Sequence, residues 1–156
     1  MNQLLKNNLV YVDKVNKENP EFFKTLGSAH NPKYLLIGCV DARIQPNTLF
    51  SVPAGDLFIH RNIANQFFQG DLNCNAVVQY AIEGLKIRDI IVMGHSKCGG
   101  VNASMTKIPF QIVDQWITSI RDIYEHHQDV FQKLKTDEER STLLAKLNVR
   151  QQCMNL

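Results

Sequence analysis

The chain has 156 residues, 44% hydrophobic and 21% charged, with a formal net charge of +2. That is enough for one domain with a sizeable core, and too little charge to argue for nucleic acid or an anionic membrane as a partner. No apolar run reaches the length of a membrane span, and the N-terminal "MNQLLKNNLVYV" lacks the pattern of a secretory signal. Cys39, Cys74, Cys98 and Cys153 are too widely spread for a disulfide scaffold. Free thiols or metal ligands in the cytoplasm are therefore expected, an organelle also being compatible.

In chain order, Leu4, Leu5, Leu9, Val12 and Val15 recur at a helical period and predict a helix over 3–16. Asn19-Pro20 opens a second short helix with proline at its first position, and "GSAHNP" ends it. "KYLLIGCV" (33–40) is a continuous apolar run that reads as a strand buried on both faces. "DLFIHRN" (56–62) is a second strand and "RDIIVMGH" (88–95) a third buried one. Between these two strands, Asp71 opens a helix through about Lys86 with Ala76, Val77, Tyr80, Ala81 and Leu85 on one face. A long amphipathic helix is predicted over 111–133 around Ile112, Trp116, Ile120 and Ile123. Thr136 and Glu139 form a capping-box pattern that starts a last helix at Asp137. Strands alternating with helices predict an α/β fold, a parallel sheet flanked by helices, with an N-terminal helical arm. Ligands of such sheets collect beyond the carboxyl ends of the strands.

Three potential metal ligands fall at those ends. Cys39 ends the first strand, His95 ends the third, and Cys98 follows it in "HSKCGG". Two thiolates and an imidazole, with no obvious fourth permanent ligand, are a recognised catalytic zinc set that leaves a position for water. Gly99 and Gly100 would give the loop backbone freedom and close approach. Asp41 and Arg43 follow Cys39 at a spacing that points both side chains the same way. A carboxylate beside a guanidinium stays ionised and oriented. It can accept a hydrogen bond from a metal's water or swing in to close the fourth position.

"CVDAR" (39–43), "HRNIAN" (60–65) and "GHSKCGG" (94–100) together resemble the β-class carbonic anhydrases. That family carries Cys-x-Asp-Ser-Arg, then Arg-Asn near the end of the next strand, then Gly-His-x-x-Cys-Gly-Gly. The likeness begins near "NPEFF" (19–23), is densest from Pro32 to Val101, and resumes at "LNVRQQCMNL" (147–156). The resemblance implies reversible hydration of CO2 to bicarbonate and a proton, with about one Zn2+ per chain on Cys39, His95 and Cys98. It implies that the Asp41–Arg43 pair orients the attacking hydroxide or, in a resting form, releases Asp41 onto the metal. It also implies a homodimer or higher homo-oligomer with a narrow apolar CO2 pocket at a dimer interface, where Phe58, Ile63 and Tyr80 are the matching positions and His30 and Gly99 complete the substrate-binding set.

Four departures stand out. Ala42 replaces the usual serine, His30 stands where many members have glutamine, and Leu36 stands where the bicarbonate-inhibited subgroup tends to have tryptophan, although Arg61 is present. The fourth is length: a single domain over 1–156 is expected to lack the family's usual C-terminal strand and helical segment. The alternative reading is therefore a non-catalytic zinc-binding module or an inactive shortened relative. Asp41 and Arg43 favour the enzyme, because a purely structural zinc needs neither. A related hydrolase acting on carbon disulfide or carbonyl sulfide would use the same chemistry in a different pocket. A redox role is weak, since the chain has no Cys-x-x-Cys.

Overall fold

The computed structural model describes residues 2–156. Two helices come first, α1 (Gln3–Glu18) and α2 (Phe22–Ser28), and neither has a buried residue. The strands are β1 (Tyr34–Cys39), β2 (Leu57–Asn62) and β3 (Asp89–Met93). Short helix α3 (Pro46–Leu49) joins the first two strands. Helix α4 (Leu72–Gln79), continued by a π turn at Tyr80–Gly84, leads to the third. The remainder is helical: α5 (Gly99–Ser104), α6 (Gln111–Trp116), α7 (Thr118–His126), α8 (Gln128–Phe131) and α9 (Asp137–Asn155).

The sheet is parallel, in the order β2-β1-β3. β1 is central, which is why its apolar residues run without alternation: Leu35, Leu36 and Ile37 are wholly buried. β3 is an edge strand and only half-buried, so its apolar run overstates its burial. From β1 the chain moves to one side to make β2 and then crosses to the other to make β3. The reversal leaves a crevice at the carboxyl end of β1, between the loops that follow β1 and β3. One apolar cluster there contains Cys39, Ala64, Cys98, Val101, Ile120, Phe131 and Leu144. A second, with Leu35, Ile37, Phe67, Cys74, Ala81 and Ile87, is backed by α4 and the π turn.

The expected long helix over 111–133 is broken into three. Trp116's carbonyl accepts from Gln66 Nε2 at 3.0 Å, and His126 and His127 Nδ1 lie 2.6 and 2.8 Å from the carbonyls of Asp122 and Ile123. These side chains take the acceptors that a continuous helix would need. Ile112, assigned to the apolar face, is 84% exposed, whereas Ile120 is fully buried. Pro20 lies in the turn before α2 rather than at its first position; Glu21 is the N-cap residue. The last helix starts at Asp137 with both halves of the Thr136–Glu139 capping box formed.

Helix α9 buries amides as well as apolar side chains. Asn148 Nδ2 donates to the Ala64 carbonyl at 2.9 Å, and Gln152 Oε1 accepts from the Phe67 N–H at 2.8 Å. Gln152 Nε2 donates back to Asn148 Oδ1 at 2.9 Å, which links the two one helical turn apart. Trp116 Nε1 holds the Ile63 carbonyl at 2.8 Å, and Asn62 Nδ2 holds that of Gln66 at 2.7 Å. These bonds fix a turn in which Ala64 and Asn65 adopt left-handed φ of 62° and 49°, a conformation that costs L-residues roughly 1–2 kcal/mol each.

Candidate metal centre

Cys39, His95 and Cys98 converge in the crevice, with their ligating atoms all within 4.8 Å of one another. The two sulfurs are 3.8 Å apart. Two sulfurs at about 2.3 Å from one tetrahedral zinc would be separated by about 3.8 Å. His95 Nδ1 lies 2.9 Å from the Ser96 carbonyl. That contact fixes the proton on Nδ1 and leaves Nε2 as a lone pair, and Nε2 is buried with no hydrogen-bond partner. An orphaned imidazole nitrogen facing two sulfurs is the donor set that zinc satisfies, with a carbonyl orienting the ring from behind.

The surroundings favour a single thiolate on the sulfur pair. The Cys39–Cys98 contact lowers the Cys39 pKa, with burial opposing, while the same contact and burial push Cys98 far up, so one proton is shared between them. Backbone N–H groups of Ala64 and Asp41 donate to Cys39, and those of Gly100 and Val101 to Cys98. The left-handed turn at Ala64 therefore delivers a backbone donor to a ligand sulfur. Gly100 is required by close approach: a Cβ there would lie 2.7 Å from Ile63 Cγ2 and 3.1 Å from Ala64 Cβ. Gly99 differs from the expectation for the pair, since a Cβ there meets nothing within 4 Å.

Asp41 and Arg43 form the expected pair. Arg43 Nε and its backbone N–H donate to Asp41 Oδ1 at 2.9 and 3.0 Å, and Nη2 donates to Oδ2 at 2.7 Å. Arg43 holds the Asp41 carboxyl well below the usual carboxylate range. Oδ2 is 3.8 Å from His95 Nε2, so an ionised acceptor stands beside the three ligating atoms. Arg43 Nη2 also donates to the Lys97 carbonyl at 3.1 Å, tying the pair to the loop after β3.

His30, Phe58 and Tyr80 form an aromatic group, with ring centroids 5.8 Å apart for His30–Phe58 and 5.9 Å for Phe58–Tyr80. Ile63 packs instead against the cluster that holds Cys39 and Cys98. An apolar groove of about 570 Å³ runs past His95, lined by residues that include Phe50, Met93, Ala145 and Val149. None of these four carries a motif signal, and the sequence reading did not select them.

His60, Asp71 and Cys74 also lie within ligating range of one another. This group is unsuited to a metal. Asn62 Oδ1 accepts from the Gln66 N–H at 2.8 Å, so its Nδ2 is the atom that donates to His60 Nε2 at 3.2 Å. The remaining proton is then on Nδ1, and neither ring nitrogen has a free lone pair. Burial pushes the Cys74 thiol up to about 11.

A sequence model described as carbonic anhydrase matches residues 34–156. The chain belongs to the carbonic anhydrase family, in its β class. A carbonic anhydrase of Emericella nidulans is 37% identical over 154 residues, covering 99% of this chain and 68% of the relative. One from Candida albicans is 34% identical over 152 residues, covering 96% of this chain and 54% of the relative. The chain thus spans between half and about two thirds of these relatives' lengths. Among solved structures, one of two tetrameric β-carbonic anhydrases from Sordaria macrospora superposes with a TM-score of 0.94 at 32% identity, covering 98% of this chain and 78% of the other. The β-carbonic anhydrase motifs read from the sequence lie in the crevice described above. Among the described residues, no helix is long and apolar enough to cross a membrane.

Proposed function

We propose that this chain catalyses the reversible hydration of CO2 to bicarbonate and a proton, with about one zinc per chain held by Cys39, His95 and Cys98. The observation that carries the reading is the orphaned His95 Nε2, aimed at two sulfurs in tetrahedral separation beside an ionised Asp41. Zinc supplies Lewis-acid activation of water near neutral pH, an effect for which carbonic anhydrases are themselves the standard example.

The chain's own residues do the rest. Backbone donors to both sulfurs favour the thiolates that a bound metal would need, against burial. Asp41 is acceptor-only, so an attacking water within its reach donates a hydrogen bond to it and keeps a lone pair for CO2. Arg43 keeps Asp41 ionised and turned toward itself, which leaves the fourth position free; release of Arg43 would allow Asp41 to take that position and close the site. His30, Phe58, Ile63, Tyr80 and Gly99 are the proposed substrate-binding residues, grouped across subunits of a homodimer or higher homo-oligomer. The single domain over 1–156 and a cytoplasmic location belong to the same reading.

Stopped-flow CO2 hydration, with zinc content measured on the same sample, tests it. Activity with about one zinc per chain, both lost in Cys98→Ser, is the expected result. A folded protein without zinc, or with zinc and no hydration activity, refutes it.

A further inference from the structure

Arg61 is the second arginine at the rim of the crevice, and what it holds differs from what Arg43 holds. Its Nε donates to the Cys39 carbonyl at 2.8 Å and its Nη2 to the Asp41 carbonyl at 2.7 Å. The β1–β2 ladder ends here, with the Val40 N–H on the Asn62 carbonyl at 3.0 Å as its last bond. Asp41's carbonyl also accepts from the Ile44 N–H at 3.0 Å. That bond is internal to the turn and travels with it.

The three bonds from Arg43 to the Asp41 carboxylate are also internal to the same turn. They fix the carboxylate relative to Arg43 but leave the pair as a unit free to shift over the ligands. Among the described residues, the contact of Arg43 with the Lys97 carbonyl is what opposes this from the pair's side chains, and it comes from a side chain that is 64% exposed. Arg61 is part-buried, sits on β2, and grips the backbone on both sides of Val40. A guanidinium can span two carbonyls with a fixed fork, whereas an ammonium is a single point donor.

We propose that Arg61 is a positioning residue that sets the register of the Asp41–Arg43 pair against Cys39, His95 and Cys98. The proposal rests on the zinc-site reading above. It assigns Arg61 no contact with substrate. Cys39 is held separately by the β1–β2 ladder, so loss of Arg61 would leave the three ligating side chains in place while the Asp41 carboxylate beside them is displaced.

The test uses the full chain loaded with zinc or with cobalt(II), comparing Arg61→Lys, Arg61→Gln and Arg61→Ala with the parent. Arg61→Gln should keep the metal while kcat falls about 10- to 100-fold, as for a roughly 1 Å misplacement. KM should stay within about twofold, as for loss of an interaction made in the transition state. The visible spectrum of the cobalt form should differ from the parent's, and added guanidinium should restore part of the activity of Arg61→Ala. Parent-like kcat and cobalt spectrum in Arg61→Gln would overturn the proposal. If Arg61→Gln does not fold, Arg61→Lys decides by the same two readouts. A metal-loaded parent without hydration activity would refute the functional reading alone; the cobalt spectra would then decide the role of Arg61, a change upholding it and no change overturning it.

Discussion

The adjacent glycines of "HSKCGG" should respond oppositely to the same substitution. In Gly100→Ala the new Cβ would sit 2.7 Å from Ile63 Cγ2 and 3.1 Å from Ala64 Cβ. Relaxed carbon contacts lie at about 3.5–4.0 Å, so roughly an ångström must be found. Ile63 is β-branched and stiff. Ala64 is wholly buried, and its backbone is clamped by Asn148. Helix α5 must therefore move, carrying the Gly100 and Val101 N–H groups away from Cys98. Overpacking of this kind costs about 1–3 kcal/mol, against which Gly→Ala in a helix returns at most about 1 kcal/mol. A net loss of about 1–2 kcal/mol is expected. Gly99→Ala meets no atom, so it should be neutral or stabilising by up to about 1 kcal/mol. Urea unfolding of both variants at matched metal content measures the difference, expected at about 1–3 kcal/mol. Stabilities equal within about 0.5 kcal/mol, inside the scatter of ordinary surface substitutions, would refute the packing argument.

Asn148→Leu should cost at least about 1–3 kcal/mol in urea unfolding, because it strands the Ala64 carbonyl and Gln152 Nε2; a loss below about 0.5 kcal/mol would show that the clamp is dispensable. Thr136→Ala, which removes the α9 cap, should cost about 1 kcal/mol. Glu139 is held below the ordinary glutamate range by the N–H groups of Thr136 and Lys135. Its stabilisation is therefore present above that range and lost as pH falls through its lowered folded value. Glu139→Gln should flatten the acid limb of a stability–pH curve, and an unchanged limb would contradict this. Two thiolate ligands neutralise more of a zinc's charge than three imidazoles would, so CO2 hydration should quicken from neutral to alkaline pH; a flat profile would argue otherwise. Cys74 is wholly buried and its thiol is raised to about 11, so a thiol reagent at mildly alkaline pH should leave it unlabelled until the protein unfolds.

Where local pattern and tertiary environment agree, the sequence was readable. All three strands lie where the apolar runs place them, and the capping box starts α9 at the expected residue. The convergence of Cys39, His95 and Cys98 was legible because strand ends in a parallel sheet share one edge. Asp41 and Arg43 were legible because their bonds are local. The illegible parts depend on distant partners. Helical periodicity over 111–133 carries no warning that Gln66 will take the Trp116 carbonyl. The apolar run of β3 reads as fully buried, although only one of its edges is paired. The polar letters of "LNVRQQCMNL" carry no sign that Asn148 and Gln152 are buried on α9 against the turn at Ala64. The two arginines divide in the same way: Arg43's bonds to Asp41 lie within one turn, whereas Arg61 reaches carbonyls 22 and 20 positions back along the chain.

The strand order also constrains when the centre can assemble. Cys39 and Cys98 are 59 positions apart, and they meet only after two parallel crossovers have closed about β1. Such non-local closures are slow steps of folding, and their entropy is lost before the contacts repay it. A metal held by both cysteines would be fully ligated only once that sheet is built. Contacts formed after the folding barrier act on the unfolding rate rather than the folding rate. If zinc binds as proposed, chelation should shorten the lifetime of the native state while leaving the speed of its formation unchanged, and the ion would act as a latch on a finished fold.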